Sequence, residues 1–267
     1  EVFVTVENKE QLEKIIKYLN LVERPYFILG NGSNLLVGDR GIDGIVLQIY
    51  KNMNEITVNG TEITAQAGAL LSSIAREAQN RSLTGFEFAG GIPGTFGGAI
   101  TMNAGAYGGE IIQVLKEATV LTKEGEILTL SAEELELGYR TSNVIKCGYT
   151  VLSGTLFLKE GDPSEIKKQM DEYSLARKTK QPLELPSAGS TFKRPEGYFA
   201  GKLIDDAGLR GYQVGGARVS DKHCGFVVNQ ENATAKDVLQ LIEDVQKTVK
   251  EKFGVDLEPE VKRVGKF

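Results

Sequence analysis

Two glycine-rich stretches of this sequence have the composition to hold an anion against bare backbone. The first, Gly30-Asn31-Gly32-Ser33-Asn34-Leu35-Leu36, follows the short apolar run Tyr26–Leu29. Glycine reaches positive φ at little steric cost and lets a ligand approach the main chain. Successive amide N–H groups in such a turn can form a nest for phosphate, and Ser33 and Asn34 add side-chain donors. Taken alone, the stretch reads equally well as a connecting turn. It is not a Rossmann fingerprint, because the last glycine of GxGxxG is lacking, and not a P-loop, because no Gly-Lys-Ser/Thr follows. The second stretch runs from Gly90 to Gly109 and includes Gly91, Pro93, Gly94, Thr95, Gly97, Gly98, Thr101, Asn103, Ala104, Gly105 and Tyr107. Glycine gives up much backbone entropy on folding, so a chain keeps this many where side chains would obstruct something. A flat, extended ligand pressed on the backbone fits that composition, with Thr95, Thr101 and Asn103 as partners for a phosphate or a heterocycle edge. Ile92, Phe96, Ile100 and Met102, threaded through the stretch, argue against disorder.

The elements that must position these loops read as follows. Val2–Val6 alternates as a strand, and Asn8 caps a helix with Leu12, Ile15, Ile16 and Leu19 at helical spacing. The strand Tyr26–Leu29 runs into the first loop, and Ile45–Ile49 is the next strand. Asn59-Gly60 joins Ile56–Val58 to Glu62–Ala67 as a hairpin, because both turn residues tolerate positive φ. Leu70–Ala78 is a short amphipathic helix. Beyond the second loop, Val114–Thr122 and Glu126–Leu130 form another hairpin, and Thr150–Leu158 is a strand. Asp162-Pro163-Ser164 breaks the chain ahead of a charged helix from Ser164 to Arg177. Pro182 and Pro186 precede a third loop, Ala188–Phe192. Tyr198–Ala207 is helical, Phe226–Asn229 a strand, and Thr234 caps a helix to about Phe253 with Val238, Leu241, Ile242, Val245 and Val249 on one face. Pro259–Val264 is a terminal strand. This order fits an α+β fold and not a regular βαβ alternation.

Composition sets further bounds. The chain has 267 residues, 41% hydrophobic and 25% charged, as in a globular protein with real cores. With 31 Lys+Arg against 36 Asp+Glu, the formal charge is −5, and no basic run is present. Nucleic acid is therefore not an expected partner. Cys147 and Cys224 are far apart and His223 is the single histidine, which argues against a disulfide scaffold, a zinc site or any bound metal. No apolar run reaches membrane-spanning length and no signal peptide opens the chain, so no membrane partner and a cytoplasmic location are the expectation. The strand-like start without methionine leads us to expect that the natural N-terminus lies upstream.

Two glycine loops outside any Rossmann pattern point to FAD on an α+β flavin fold, and the sequence resembles one family in particular. Gly30–Leu36 and Ile92-Pro93-Gly94 through Met102-Asn103-Ala104-Gly105-Ala106-Tyr107-Gly108 resemble the paired signatures of the UDP-N-acetylenolpyruvoylglucosamine reductase family. Further blocks follow in the family's order: Gly138-Tyr139-Arg140, Ala188-Gly189-Ser190-Thr191-Phe192, Ala200-Gly201-Lys202-Leu203-Ile204-Asp205 and Leu257-Glu258-Pro259-Glu260-Val261. Essentially the whole chain is covered, and its compact length resembles the shorter, type II form. The resemblance implies an FAD-binding fold of the vanillyl-alcohol-oxidase type over 1–163, in lobes of about 1–50 and 51–163. It also implies a smaller substrate domain over 164–267, whose last strand, about 257–267, packs back near the flavin.

The implied reaction is NADPH-dependent reduction of UDP-N-acetylglucosamine enolpyruvate to UDP-N-acetylmuramate, a peptidoglycan precursor, through FAD. Neither His nor Cys lies near the glycine loops, so the FAD is expected to be non-covalent. By the same resemblance, Ser190, Arg140 and Glu260 meet the enolpyruvyl group, Lys180 the substrate diphosphate, and Tyr139 and Arg194 further parts of the substrate. His223 either lines the cleft of the C-terminal domain or is a hydrogen-bonded structural ring. The family usually carries a Thr-plus-Arg-Ile-Gly-Gly-like segment ahead of the first strand, which helps enclose the flavin, and that segment is absent here. Two other readings stand beside this one: another non-covalent FAD oxidoreductase of the same fold, and a non-catalytic nucleotide-sugar binding protein.

Overall fold

Local signals build the start of the chain. Asn8 accepts the Gln11 N–H on its side-chain oxygen at 2.9 Å and so opens the helix Lys9–Leu21. That helix buries Leu12, Ile16 and Leu19. In the computed structural model, which describes residues 2–267, it packs beside a parallel three-stranded sheet. Ile45–Gln48 lies at the centre of that sheet, between Val2–Thr5 and Tyr26–Leu29. A five-stranded antiparallel sheet follows, in the order Ile127–Ser131, Leu115–Leu121, Thr150–Phe157, Glu62–Gln66, Ile56–Asn59. Its outer hairpin turns at Gly60, where φ is +59°. Both sheets contribute to one core that includes Leu12, Leu47, Ile63, Ile74, Phe96 and Ile100.

These elements make up a first unit, which takes the chain to Gly32 and then Gly44–Leu175. Within it the second glycine stretch folds as a short helix, Phe96–Thr101. Gly154 in the central strand explains how that helix lies so close to the sheet. A Cβ at Gly154 would sit 2.7 Å from Ile100 Cδ1 and 3.0 Å from Phe96 Cε1. Only the missing side chain admits both buried residues, so a sheet glycine positions the loop.

The second unit comprises Ser33–Asp43 and Ala176–Phe267. Its antiparallel sheet has the order Ser187–Ser190, Phe226–Asn229, Ala217–Val219, Gln213–Val214. The helix Ala235–Phe253 buries Leu241, Ile242, Val245 and Val249 in a core shared with Leu203, Ile204, Ala217 and Val219. Thr234 and Asp237 cap it reciprocally, at 3.1 and 2.9 Å. Gly254 ends it with φ at +70°.

The compact units divide elsewhere than at 163/164. The helix Pro163–Lys180 is continuous through that point, and the division falls within it, after Leu175. Ser33–Asp43 belongs with the C-terminal residues for two reasons. Leu35–Val37 pairs in parallel with Lys262–Val264, and the Asp39 carboxylate accepts the Ala235 N–H at 2.9 and 3.0 Å. Neither long-range contact leaves a local sequence signal. No described helix is long and apolar enough to cross a membrane.

Candidate active site

In the first unit the two glycine stretches meet. A Cβ on Gly30 would collide with Thr95 Oγ1, and the Asn31 side chain donates to Pro93 O at 2.7 Å. The Asn31 and Gly32 amide N–H groups have no acceptor among the described residues. At Gly32 φ is +71°, and a Cβ there would find only Leu29 Cδ1, at 3.7 Å. Gly98 is exposed and similarly open, with Thr95 Oγ1 at 3.5 Å from a Cβ. Free amides beside open glycine faces suit the diphosphate of a dinucleotide.

Arg140 stands over the same stretch. Gly138 and Thr141 exchange backbone hydrogen bonds at 3.0 and 3.2 Å, leaving Tyr139 and Arg140 as the centre of a tight turn. The Ser142 hydroxyl, fully buried, donates to Thr101 O at 2.6 Å and ties the turn to the glycine helix. Arg140 holds φ at +57°, a left-handed conformation that costs a side-chain-bearing residue about 1–3 kcal/mol. Its guanidinium donates to Asn103 O and Gly105 O, each at 3.3 Å, and lies 4.8 Å from the Tyr139 ring centre.

Several loop residues spend their side-chain polar groups, or the space beside their backbone, on contacts within the protein. Asn103, 1% exposed, donates to Glu110 Oε2 and Gly138 O, both at 3.1 Å, and accepts Ile112 N–H at 3.0 Å. Its side chain is fully used in holding the Arg140 turn. The Gly97 N–H bonds to Ala67 O at 2.8 Å, and a Cβ there would strike Ala67 Cβ at 2.8 Å. The Thr101 hydroxyl bonds back to Gly97 O at 2.7 Å, and the Asn31 side-chain amide is spent on Pro93 O, leaving only its backbone N–H available. Gly105 is bare because Gly109 O would lie 2.6 Å from a Cβ. Tyr107 stacks on Tyr173 with ring centres 4.4 Å apart and 6° between planes. Tyr173 sits on the charged helix, where nothing in the sequence marked it. Of the remaining loop residues, Gly91, Pro93 and Gly94 are at least partly exposed, whereas Thr95 and Ala104 are buried.

The second unit gathers the other candidates. Ser33 and Asn34 offer amide N–H groups without acceptors among the described residues, and Asn34 Nδ2 donates to Glu260 O at 3.2 Å. Leu35 opens the strand paired with Lys262–Val264. The chain bearing Glu260 runs beside the third loop: Glu260 N–H donates to Thr191 O at 2.8 Å, and Phe192 bridges to Pro259. Ser190 is thereby one residue from a direct link to Glu260. It is exposed, and its hydroxyl has no hydrogen-bond partner among the described residues. The neighbouring Gly189 has φ at +80° with nothing within 4 Å of a Cβ, so the space beside Ser190 is clear.

The remaining predicted residues take varied places. Lys180 is exposed at the end of the helix Pro163–Lys180, and Arg194 is exposed with its guanidinium 4.0 Å from the Phe199 ring centre. His223 accepts the Gly225 N–H on Nδ1 at 3.1 Å and meets Phe226 edge-on. Burial pushes its pKa below the ordinary histidine value, so the ring is neutral at pH 7. Its contacts are those of a structural ring. A recess of about 300 Å³ adjoins the third loop in this unit, lined by Leu36, Ala188, Thr191, Val228, Ala235 and Ile242 among others; Ser190 itself does not line it.

Known proteins match this architecture along its full length. Residues 1–131 match the FAD binding domain family, and residues 181–264 match the C-terminal domain of UDP-N-acetylenolpyruvoylglucosamine reductase. The chain is 57% identical to the UDP-N-acetylenolpyruvoylglucosamine reductase of Lachnoclostridium phytofermentans over 267 residues, covering 98% of this chain and 86% of that one. It is 54% identical to the enzyme of the same name from Clostridium botulinum over 265 residues, covering 99% and 87%. The crystal structure of the Thermus caldophilus reductase superposes with a TM-score of 0.84 at 38% identity, covering 98% of this chain and 91% of that one. At these identities and coverages the chain belongs to the UDP-N-acetylenolpyruvoylglucosamine reductase family.

Proposed function

We propose that this chain is an FAD-containing oxidoreductase that uses NADPH to reduce the enolpyruvyl group of UDP-N-acetylglucosamine enolpyruvate, giving UDP-N-acetylmuramate for peptidoglycan synthesis. The observation that carries the chemical reading is the backbone link between the Ser190 and Glu260 segments through Thr191 O. It supports the reading because Ser190 and Glu260 then lie on adjacent segments, with clear space at Gly189 beside Ser190. FAD, when bound, supplies the hydride chemistry between NADPH and the alkene. Asn31, Gly32, Ser33 and Asn34 would hold its diphosphate through their amides, with Gly98 leaving room for its length.

The protein's own groups handle charge and proton. Hydride arriving at one alkene carbon pushes negative charge toward the neighbouring carboxylate. The Arg140 guanidinium, fixed on two carbonyls, stabilises that charge. Glu260 is assigned to hydrogen-bond the developing dianion. The Ser190 hydroxyl gives its proton to the other alkene carbon; serine is a weak acid, but the acceptor is carbanion-like and strongly basic. Tyr139, Lys180 and Arg194 are assigned to the remainder of the substrate, and NADPH as the reductant fits a cytoplasmic location. Anaerobic reduction of the bound flavin by NADPH, then reoxidation by UDP-N-acetylglucosamine enolpyruvate, tests the whole reading. A protein that takes up NADPH electrons but does not pass them to this substrate is a different flavin enzyme.

Two variants test the binding assignments. Gly30→Val is expected to lower FAD retention by about tenfold or more, because overpacking at a fitted contact costs about 1–3 kcal/mol and here pries the loops apart at Thr95. Flavin absorbance per protein after gel filtration measures it, and full retention removes Gly30 from the cradle. Lys180→Ala is expected to raise the KM for the UDP substrate by about tenfold with little change in kcat, since a diphosphate remote from the reacting carbons is bound alike in ground and transition states. A fall in kcat at unchanged KM contradicts that placement.

A further inference from the structure

The strand that carries Ser190 is irregular. Ser187 pairs with Val228 and Ser190 with Phe226, so three steps along one strand meet two along its partner. Gly189, with φ at +80°, lies in the irregular stretch. Such a β-bulge disrupts the ladder locally and re-aims side chains. At this bulge the Val227 N–H is taken by a side chain: its acceptor is Thr191 Oγ1, at 2.9 Å. Thr191 is 2% exposed and Val227 8%, so the bond is buried. Thr191 also donates its own N–H to Gly225 O at 2.9 Å and accepts the Glu260 N–H on its carbonyl at 2.8 Å.

We infer that Thr191 is the positioning residue for Ser190 and Glu260. Its hydroxyl serves as the acceptor for Val227 at the bulge, and its backbone joins Gly225, at the entry to the Phe226–Asn229 strand, to the segment bearing Glu260. The inference rests on Ser190 and Glu260 being the groups that meet the enolpyruvyl unit. The physical argument is one of register. A buried N–H must find an acceptor, and without the hydroxyl the bulge gains by sliding toward even pairing. A one-residue slip turns every side chain of a strand to the opposite face, so the aim of Ser190 is lost while the sheet survives.

The test uses the flavin-loaded full chain with Thr191→Val, which keeps the shape and removes the hydroxyl, and Thr191→Ser, which keeps the hydroxyl. Native-state amide exchange at Val227 reads the hydrogen bond, and stopped-flow absorbance reads the two half-reactions. Thr191→Val is expected to retain flavin, to be reduced by NADPH within about twofold of the parent rate, and to be reoxidised by substrate about tenfold or more slowly, with faster exchange at Val227. Thr191→Ser is expected to restore exchange and reoxidation together. Faster exchange with unchanged reoxidation, or a serine variant as slow as the valine one, overturns the positioning role. If the parent protein itself is not reoxidised by the enolpyruvyl substrate, the functional reading fails, and this role with it.

Discussion

Replacing Ser190 with alanine is expected to slow flavin reoxidation by the enolpyruvyl substrate about 10²–10⁴-fold, the usual loss on removing a positioned acid. NADPH gives up its hydride before any substrate proton is needed, so flavin reduction is expected to stay within about twofold of the parent rate. The fold gives no reason for a general loss. Ser190 is exposed and its hydroxyl has no hydrogen-bond partner among the described residues, so the change is expected to leave stability within about 0.5 kcal/mol. A uniform slowing of both half-reactions would therefore need another cause. Ser190→Cys is expected to recover part of the rate, because a thiol is the stronger acid. Stopped-flow absorbance separates the two steps. Slowed NADPH reduction with intact reoxidation would falsify the assignment of Ser190 as proton donor.

The second large effect concerns Arg140. Arg140→Lys is expected to slow the same reoxidation step about 10²–10³-fold, the scale of losing one preorganised donor to a developing oxyanion. Charge is kept, so a merely electrostatic role predicts a small change. What is lost is the fork: Arg140 spans Asn103 O and Gly105 O with separate nitrogens, each at 3.3 Å, and one ammonium cannot reproduce that planar geometry. The left-handed backbone at residue 140 is equally strained for lysine, so the fold should tolerate the exchange. FAD content and the thermal midpoint are the controls. Reoxidation within about threefold of the parent rate would show that a point charge suffices and that the guanidinium plane has no special part.

Local chemistry was legible in the sequence wherever one short segment decides the outcome. Asn8 and Thr234 mark helix starts through their own side chains, and both caps form. Tyr26–Leu29 and Phe226–Asn229 stand out as short apolar runs and form strands over those residues. The hairpin expected at Asn59-Gly60 forms, but Asn59 is the last paired strand residue; the turn is Gly60-Thr61, and of these only Gly60 takes positive φ. Composition alone also singled out the second glycine stretch, since so much backbone freedom is surrendered only where contact demands it, whereas the first read equally well as a connecting turn.

Tertiary structure decided what each of those glycines does. Gly97 is bare to admit Ala67, Gly105 to admit Gly109, and Gly30 to admit Thr95, whereas Gly32 and Gly98 face open space. Five identical letters carry different duties, because a missing Cβ matters only through the atom that would meet it, and that atom belongs to a distant segment. The same holds for Phe96–Thr101, a helix despite two glycines because Gly154 lets Phe96 and Ile100 reach the core. Leu35–Val37 is a strand only because Lys262–Val264 arrives beside it. Ser187–Ser190 read as a loop because its small residues carry little strand signal, and pairing with Phe226–Asn229 makes it a strand. The sequence thus determined the kinds of groups available and the local turns that present them. Which groups share one place was left to long-range packing, because hydrogen bonds and close contacts depend on distance in space, and distance along the chain does not encode it.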